Sequence, residues 1–230
     1  MTVTTVGFDA DDTLWHNELF FKDTQARFAA RLADHADPDH LMERLLAAER
    51  RNLGHYGFGI KGFTLSMVET AIEVTEGRVP ASVIAEILAD GREMHRHPVD
   101  LMPGVEACIR DLAPSHRLVL ITKGDLLDQE RKLAESGLGD FFDGIEIVSD
   151  KTAATYTRAF DAHGDGAARA LMVGNSMKSD VVPAIAAGAF GVFCPSEHEW
   201  ELERAEEPAT HPRYRRIADL GALPELLRSL

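Results

Sequence analysis

The chain has 230 residues, of which 45% are hydrophobic and 27% charged, and its formal net charge is −14. This length and composition predict a globular protein with one domain of ordinary size and a substantial insertion. The negative charge argues against a nucleic-acid partner, because such binding depends on Lys and Arg neutralising phosphates. No window approaches the roughly 18 consecutive apolar residues of a membrane span, and no leader pattern opens the chain, so we expect no membrane partner and a cytoplasmic protein.

The chain begins with a short apolar, β-branched run and then turns helical. Residues 3–8 (VTTVGF) predict a buried strand, and three aspartates follow it within four positions. From about residue 17 to about residue 99, apolar residues recur at three- and four-residue spacing in four long segments. This pattern predicts an all-helical block of about four helices directly after the first strand.

Beyond residue 100 the chain alternates between strand and helix patterns. Strand patterns occur in RLVLITKG, GIEIVS, ALMVGNS and FGVFCP, and amphipathic helix patterns separate them. Such alternation is typical of a parallel sheet covered by crossover helices. We therefore predict an α/β domain formed by residues 1–16 and 100–230, with a helical insertion at residues 17–99. The acidic stretch from residue 195 to 212 is interpreted as a loop and the C-terminal ADLGALPELLRSL as a closing helix.

Polar side chains follow four of the predicted strands. The C-terminal ends of parallel strands meet at one edge of the sheet, so these residues are expected to lie together. They are Asp9, Asp11 and Thr13; Thr122 and Lys123; Lys151; and Asn175 and Asp180.

This set of side chains suits phosphoryl transfer. Carboxylates with a substrate phosphate are the ligands that Mg²⁺ prefers, and an ammonium group offsets charge on the transferred phosphoryl. Two aspartates two residues apart also permit a division of labour. Asp9 is the predicted nucleophile and Asp11 the predicted general acid and base.

The four motifs, DADDT, LITKG, Lys151 and GNSMKSD, resemble those of the haloacid dehalogenase (HAD) superfamily, in its phosphatase branch. The resemblance implies a Rossmann-like three-layer core with a parallel sheet and a helical cap of the C1 type. It also implies an aspartyl-phosphate intermediate and Mg²⁺ held by Asp9, the backbone carbonyl of Asp11 and the fourth motif. There Asn175 stands in place of the first expected acid, so Asp180 supplies the remaining carboxylate. Thr122 and Lys151 are implied to hold the phosphoryl group.

Two lysines are further candidates for substrate binding. Lys123 follows Thr122 and is interpreted either as a ligand contact or as a surface charge. Lys61 lies in the glycine-rich HYGFGIKGFTLS, which is either a loop that closes over the substrate or a break between two helices.

The expected partner is a small phosphorylated metabolite, and the helical block leaves room for a homodimer interface. Two alternatives stay open: a dehalogenase or phosphonate hydrolase on the same scaffold, and a non-catalytic phospho-acceptor module. The second aspartate, Asp11, speaks against the dehalogenase, and the 80-residue insertion against the phospho-acceptor module.

Overall fold

The computed structural model describes residues 2–230. Within them the chain forms two compact units. One unit, called the core unit below, comprises residues 2–18, 99–123 and 129–230. The other, the helical unit, comprises residues 19–98 and 124–128. The sequence pattern predicted similar bounds, but it did not indicate that residues 124–128 group with the helices.

The core unit contains a parallel sheet, as the alternating pattern predicted. Among the described residues it has six strands, β1 (Thr5–Phe8), β2 (Arg117–Lys123), β3 (Gly144–Val148), β4 (Ala170–Gly174), β5 (Phe190–Phe193) and β6 (Tyr214–Arg216). Their order in the sheet is β3-β2-β1-β4-β5-β6. Every neighbouring pair is parallel.

Helices cover both faces of this sheet because alternate strand residues point to opposite sides. The helices are α5 (Val105–Leu112), α6 (Leu126–Ser136), α7 (Ala153–His163), α8 (Val182–Ala186) and α9 (Leu223–Ser229). Leu118 and Leu120 pack with residues of α5, α6 and α9, whereas Val119 and Ile121 pack with α7 and α8. The result is a three-layer Rossmann-like α/β fold.

The predicted loop at 195–212 and the last helix have more structure than the pattern indicated. The loop holds a 3₁₀ turn at Glu201–Glu203, and β6 follows it at the edge of the sheet. A single 3₁₀ turn then leads into α9. The extra strand was missed because its residues, Tyr214, Arg215 and Arg216, lack the apolar run of a buried strand.

The helical unit is built around its own apolar core. Its helices are α1 (Glu18–Arg31), α2 (Pro38–Tyr56), α3 (Ile60–Val74) and α4 (Ala81–Met94), the first residue of α1 belonging to the core unit. Phe28, Leu45, Met67 and Ile87, one from each helix, are buried together. The four predicted helices are thus present, and their apolar stripes form the core of this unit.

Candidate active site

The first site loop follows β1 and carries all three aspartates. Asp9 lies at the end of the strand, and its N–H donates to the carbonyl of Val173 on β4 at 3.0 Å. The chain then turns back on itself, with the N–H of Leu14 donating to the Ala10 carbonyl at 2.7 Å. The sheet edge and this tight turn therefore fix where the carboxylates project.

The carboxylate of Asp9 is buried beside a lysine. Lys151 Nζ lies 2.5 Å from Asp9 Oδ1 and 2.7 Å from Asp180 Oδ1, and its side chain is 2% exposed. The structure thus brings together three residues that are up to 171 positions apart, from the ends of β1 and β4 and the loop after β3. Because a buried ammonium needs partners, the two carboxylates stabilise Lys151 at this position.

These charges shift one another's ionisation. Burial, and then the nearby Asp180 carboxylate, raise the pKa of Asp9 to about 7, although Lys151 opposes the shift. Burial by itself would lower the pKa of Lys151, but Asp180 and Asp9 outweigh it and raise that pKa. With Asp9 ionised, two carboxylates around one ammonium leave one negative charge in excess, which is offset either by a proton on Asp9 or by a cation nearby.

Asp180 is held from several directions. Its Oδ2 accepts from the N–H of Ser176 at 2.9 Å, and the hydroxyl of Tyr156 lies 3.4 Å from Oδ1. Gly174 is required here, because a Cβ at this position would lie 2.2 Å from Asp180 Oδ2. The close approach fixes Asp180 against the end of β4.

A set of oxygen atoms converges beside Asp9. The terminal amide atom of Asn175 that faces Asp9 lies 3.1 Å from Asp9 Oδ2 and 3.2 Å from the backbone carbonyl oxygen of Asp11. The hydroxyl of Thr13 lies 3.2 Å from Asp9 Oδ2. With its amide nitrogen inwards, Asn175 donates to both Asp9 Oδ2 and the Asp11 carbonyl oxygen, which is the orientation that satisfies its hydrogen bonds in the absence of a cation. With its amide oxygen inwards, Asn175 places a third oxygen within 3.2 Å of the other two, an arrangement that a shared cation would favour.

This arrangement fits Mg²⁺. Oxygens around an octahedral Mg²⁺ are about 3 Å apart, and the ion accepts carboxylate, carbonyl and amide oxygens. The carboxylate of Asp9, the carbonyl of Asp11 and the amide of Asn175 supply one of each. Across residues 2–230 no group of three or more His, Cys, Asp and Glu side chains has the arrangement of a metal site. The fit to Mg²⁺ therefore depends on two groups outside those residue types, the backbone carbonyl of Asp11 and the side-chain amide of Asn175.

Asp11 faces a different set of partners from Asp9. Its Oδ1 accepts from Trp15 Nε1 at 2.7 Å and from Lys132 Nζ at 2.9 Å, and its Oδ2 accepts from Gln129 Nε2 at 2.8 Å. Gln129 and Lys132 lie on α6, far away in sequence, and no motif in the chain indicated them. The only signal that could have indicated these two residues is the presence of polar residues on a helix face where apolar ones are expected.

The third aspartate of the loop has a structural role. Asp12 adopts a left-handed backbone conformation with φ 57°. Its carboxylate accepts from the N–H groups of Asn17 (3.0 Å) and Glu18 (2.9 Å), where α1 begins. Burial raises the pKa of Asp12 to about 6. Asp tolerates this conformation better than most residues and satisfies two N–H groups at the helix start.

Thr122 and Lys123 lie at the end of β2 as expected. Thr122 is buried, and its hydroxyl lies 3.3 Å from the carbonyl of Lys123. Lys123 Nζ donates to Ser179 Oγ at 2.7 Å and to Glu203 Oε1 at 2.8 Å. Glu203, in the acidic stretch 195–212, also accepts from Ser176 Oγ at 2.5 Å. Lys123 therefore joins the second motif to the fourth through a glutamate that the sequence did not single out.

Lys61, the remaining predicted substrate contact, lies in the first turn of α3 in the helical unit. Its Nζ is 3.3 Å from Asp125 Oδ1, and its N–H donates to Asp125 Oδ2 at 3.2 Å. The glycine-rich segment around it forms a three-residue break, Gly57 to Gly59, between α2 and α3. Its contact with substrate stays a prediction.

The fold and the strand-end residues define a hydrolase of the HAD type. A family model described as haloacid dehalogenase-like hydrolase matches residues 3–188. The chain belongs to this family, as its four motifs predicted.

Solved structures agree with that assignment. A haloacid dehalogenase-like family hydrolase of Xanthomonas campestris shares 42% identity with a TM-score of 0.89, over 99% of this chain and 91% of that one. The L-2-haloacid dehalogenase of Xanthobacter autotrophicus (20% identity, TM-score 0.69, all of both chains) shares the fold. So does the HAD-hydrolase YfnB of Bacillus subtilis, a magnesium-bound structure (19%, 0.67, 99% of both chains). A search of curated proteins gave no match.

No helix among the described residues is long and apolar enough to cross a membrane. Cys108 and Cys194 are buried free thiols, and burial raises their pKa values to about 12 and about 11. Neither thiol is therefore activated as a nucleophile.

Proposed function

We propose that this hydrolase is a Mg²⁺-dependent phosphatase that releases inorganic phosphate from a small phosphomonoester metabolite. Support comes from a buried carboxylate beside an ammonium group, an oxygen set suited to Mg²⁺, and a second carboxylate two residues further on. A metabolite-sized substrate agrees with a net charge of −14, which disfavours polyanionic partners.

The observation that carries the proposal is the second carboxylate, Asp11. A halide leaves carbon as a stable anion and needs no proton, so a dehalogenase has no use for an acid at this position. An alcohol leaving phosphorus departs as an alkoxide, which a general acid must protonate. The side chain of Asp11 is 23% exposed, so it is not sealed off from solvent.

In the first step a carboxylate oxygen of Asp9 attacks phosphorus. A bond forms between that oxygen and phosphorus, the bond from phosphorus to the ester oxygen breaks, and Asp11 gives its proton to the departing oxygen. The alcohol leaves and Asp9 carries the phosphoryl group. Lys151 and Thr122 offset charge on the phosphoryl oxygens while the two displacements occur in line.

In the second step water attacks the aspartyl phosphate. Asp11, now ionised, takes a proton from the attacking water as the new bond to phosphorus forms. The bond between phosphorus and Asp9 breaks, which releases inorganic phosphate and restores both carboxylates. One acid/base residue thus serves both steps.

Asp9, the carbonyl of Asp11 and Asn175 would hold Mg²⁺, with Asp180 as a further carboxylate. When bound, the ion would neutralise charge on the phosphate and on Asp9. Asp180 also keeps Lys151 in place through the 2.7 Å contact. The chain's own contribution is to hold a nucleophile, a cationic side chain and an acid at one sheet edge.

The test is hydrolysis of p-nitrophenyl phosphate with Mg²⁺, compared with the Asp9→Asn variant. We expect Asp9→Asn to lower kcat/KM by at least about 10³-fold, since it removes the nucleophile. Asp12→Asn is the matched control, because it makes the same change three residues away at a helix cap and should retain activity. Equal activity in Asp9→Asn and wild type would overturn the proposal.

A dehalogenase is the second candidate, because Asn175 replaces an acid. With its amide nitrogen inwards, Asn175 donates to Asp9 Oδ2 and to the Asp11 carbonyl, and Lys151 donates to Asp9 Oδ1, so both oxygens of Asp9 have a partner without a cation. Halide release from 2-chloropropionate separates the two activities. Halide release that persists in EDTA, without phosphate release, would favour the dehalogenase.

A further inference from the structure

Two side chains of α6 contact the proposed acid/base residue. Gln129 Nε2 donates to Asp11 Oδ2 at 2.8 Å, and Lys132 Nζ donates to Asp11 Oδ1 at 2.9 Å. On the same oxygen, Trp15 Nε1 donates at 2.7 Å. We call these four residues the Asp11 tether. All of them belong to the core unit.

We propose that Lys132 is a positioning residue that holds Asp11 in the orientation needed to protonate the leaving group. The inference rests on the proposed phosphatase function. Lys132 reaches Asp11 from α6 and also donates to Asn17 Oδ1 at 2.8 Å. Its ammonium therefore connects two positions of the first site loop, Asp11 and Asn17.

Burial supports a specific role for the tether. The side chain of Lys132 is 9% exposed, and Trp15 is 1% exposed. A buried ammonium and a buried indole N–H both need an acceptor, and Asp11 Oδ1 accepts from both. The side chain of Asp11 is 23% exposed, so it reaches the surface while donors hold both of its oxygens.

Three donors on one carboxylate restrict its rotation. Proton transfer to a leaving group depends on sub-ångström placement, and a misplacement of 1 Å costs about 10²-fold in rate. Gln129 is itself held in position, because its Nε2 also donates to the Lys123 carbonyl at 3.0 Å. The tether thus connects the acid to the loop that follows Thr122.

The experiment compares two substrates with different leaving groups. p-Nitrophenolate is a stable anion and needs little protonation, whereas the alkoxide from ethyl phosphate needs a proton donor. We expect Lys132→Met to lower kcat/KM for ethyl phosphate by about 10- to 100-fold and for p-nitrophenyl phosphate by less than about threefold. Because kcat/KM covers steps through the first phosphoryl transfer, it isolates the acid role.

Two further variants control this comparison. Arg131→Met removes a cation from the same helix that pairs with Glu135 at 2.8 Å, and it should leave the ratio of the two kcat/KM values unchanged. Lys132→Arg retains the charge and should recover most of the loss on ethyl phosphate. Equal losses on the two substrates in Lys132→Met, or a gain on ethyl phosphate, would overturn the tether.

A readout without turnover reports on the tether itself. The chain has two tryptophans, so a ¹⁵N-labelled protein gives two indole N–H signals, and Trp200→Phe assigns the one from Trp15. Lys132→Met should shift the Trp15 signal upfield, because Asp11 moves away from the indole N–H. An unshifted signal would contradict the inference.

Failure of the proposed function has a different signature. Wild-type protein that hydrolyses neither phosphate ester would overturn the phosphatase and, with it, the acid role of the tether. Wild-type activity that depends on Asp9, together with an unchanged substrate ratio in Lys132→Met, would overturn the tether alone.

Discussion

Buried charge is arranged differently in the two units. In the core unit one ammonium, that of Lys151, lies between the carboxylates of Asp9 and Asp180. In the helical unit the carboxylate of Asp90, 6% exposed, contacts the guanidinium groups of both Arg27 and Arg31, and Arg31 also pairs with Glu86 at 2.8 Å. With both carboxylates ionised the first cluster has one negative charge in excess, whereas in the second two arginines balance two carboxylates.

This difference in charge and burial distinguishes the candidate active site around Lys151 from the structural ion cluster around Asp90. The arginines around Asp90 keep their outer parts in solvent, with 39% and 22% exposure, so water also screens their charge. Around Lys151 both carboxylates are almost fully buried, so water does not offset their excess charge, and the pKa of Asp9 is raised to about 7 instead. Four predictions sharpen or break this comparison.

The largest effect is expected at Lys151. Lys151→Met removes the charge that faces Asp9, and we expect kcat/KM for p-nitrophenyl phosphate to fall by about 10³-fold, since one preorganised charge contributes about that much. Steady-state kinetics with Mg²⁺ measure it, and a thermal melt with Mg²⁺ verifies folding. A folded variant with activity within a factor of about three of wild type would show that the cluster is structural.

The next effect is on stability. Asp90→Asn removes the carboxylate that Arg27 and Arg31 share, although Arg31 keeps Glu86. We expect the free energy of unfolding, measured by chemical denaturation, to fall by about 2–3 kcal/mol. This is below the usual cost of breaking a fully buried pair, because both arginines reach solvent. The control is Glu86→Gln, on the exposed partner of Arg31, with an expected loss under about 0.5 kcal/mol. A loss of catalysis in Asp90→Asn at full stability would contradict the comparison.

The third prediction concerns Asp12, whose carboxylate caps α1. Asp12→Ala loses the cap and keeps a strained φ of 57°, so we expect about 2 kcal/mol less stability at pH 7. Asp12→Asn retains an acceptor for the N–H groups of Asn17 and Glu18 and removes a buried charge. It should stay within about 0.5 kcal/mol of wild type, and an equal loss in both variants would argue against capping.

The smallest effect is pH-dependent and lies at Glu203. Burial by itself would raise the pKa of Glu203, but Lys123 and the hydroxyls of Ser176 and Ser179 outweigh it and lower the pKa below its ordinary 4.5. A lowered pKa means that the ionised carboxylate stabilises the folded state above pH 4.5 and that this contribution disappears as pH falls through the folded-state pKa.

Glu203→Gln should therefore lower stability by about 1 kcal/mol at pH 7, and the difference from wild type should shrink below pH 4.5. Denaturation at a series of pH values measures it. Glu201→Gln, in the same 3₁₀ turn but exposed, is the matched control and should show no such dependence. A difference that grows on acidification would contradict the ion pair with Lys123.

Much of the fold and of the candidate site followed from local signals. The alternation of strand and helix patterns predicted the parallel sheet, and three- and four-residue spacing predicted four helices before residue 99. Strand ends in a parallel sheet share one edge, so Asp9, Lys151 and Asp180 could be placed together before any contact was known. Each of these inferences needs only the period of a segment and the residue that follows it.

Tertiary structure decided the remaining contacts. Gln129 and Lys132 reach Asp11 across 118 and 121 positions, and Glu203 reaches Lys123 across 80. No period or motif encodes such pairs, since they depend on how α6 and the segment 195–212 pack on the sheet. The role of Asp12 likewise depends on tertiary structure, because the turn places the N–H groups of Asn17 and Glu18 beside its carboxylate. Local residue patterns specify the elements and the strand ends, whereas packing between distant elements decides which polar groups face one another.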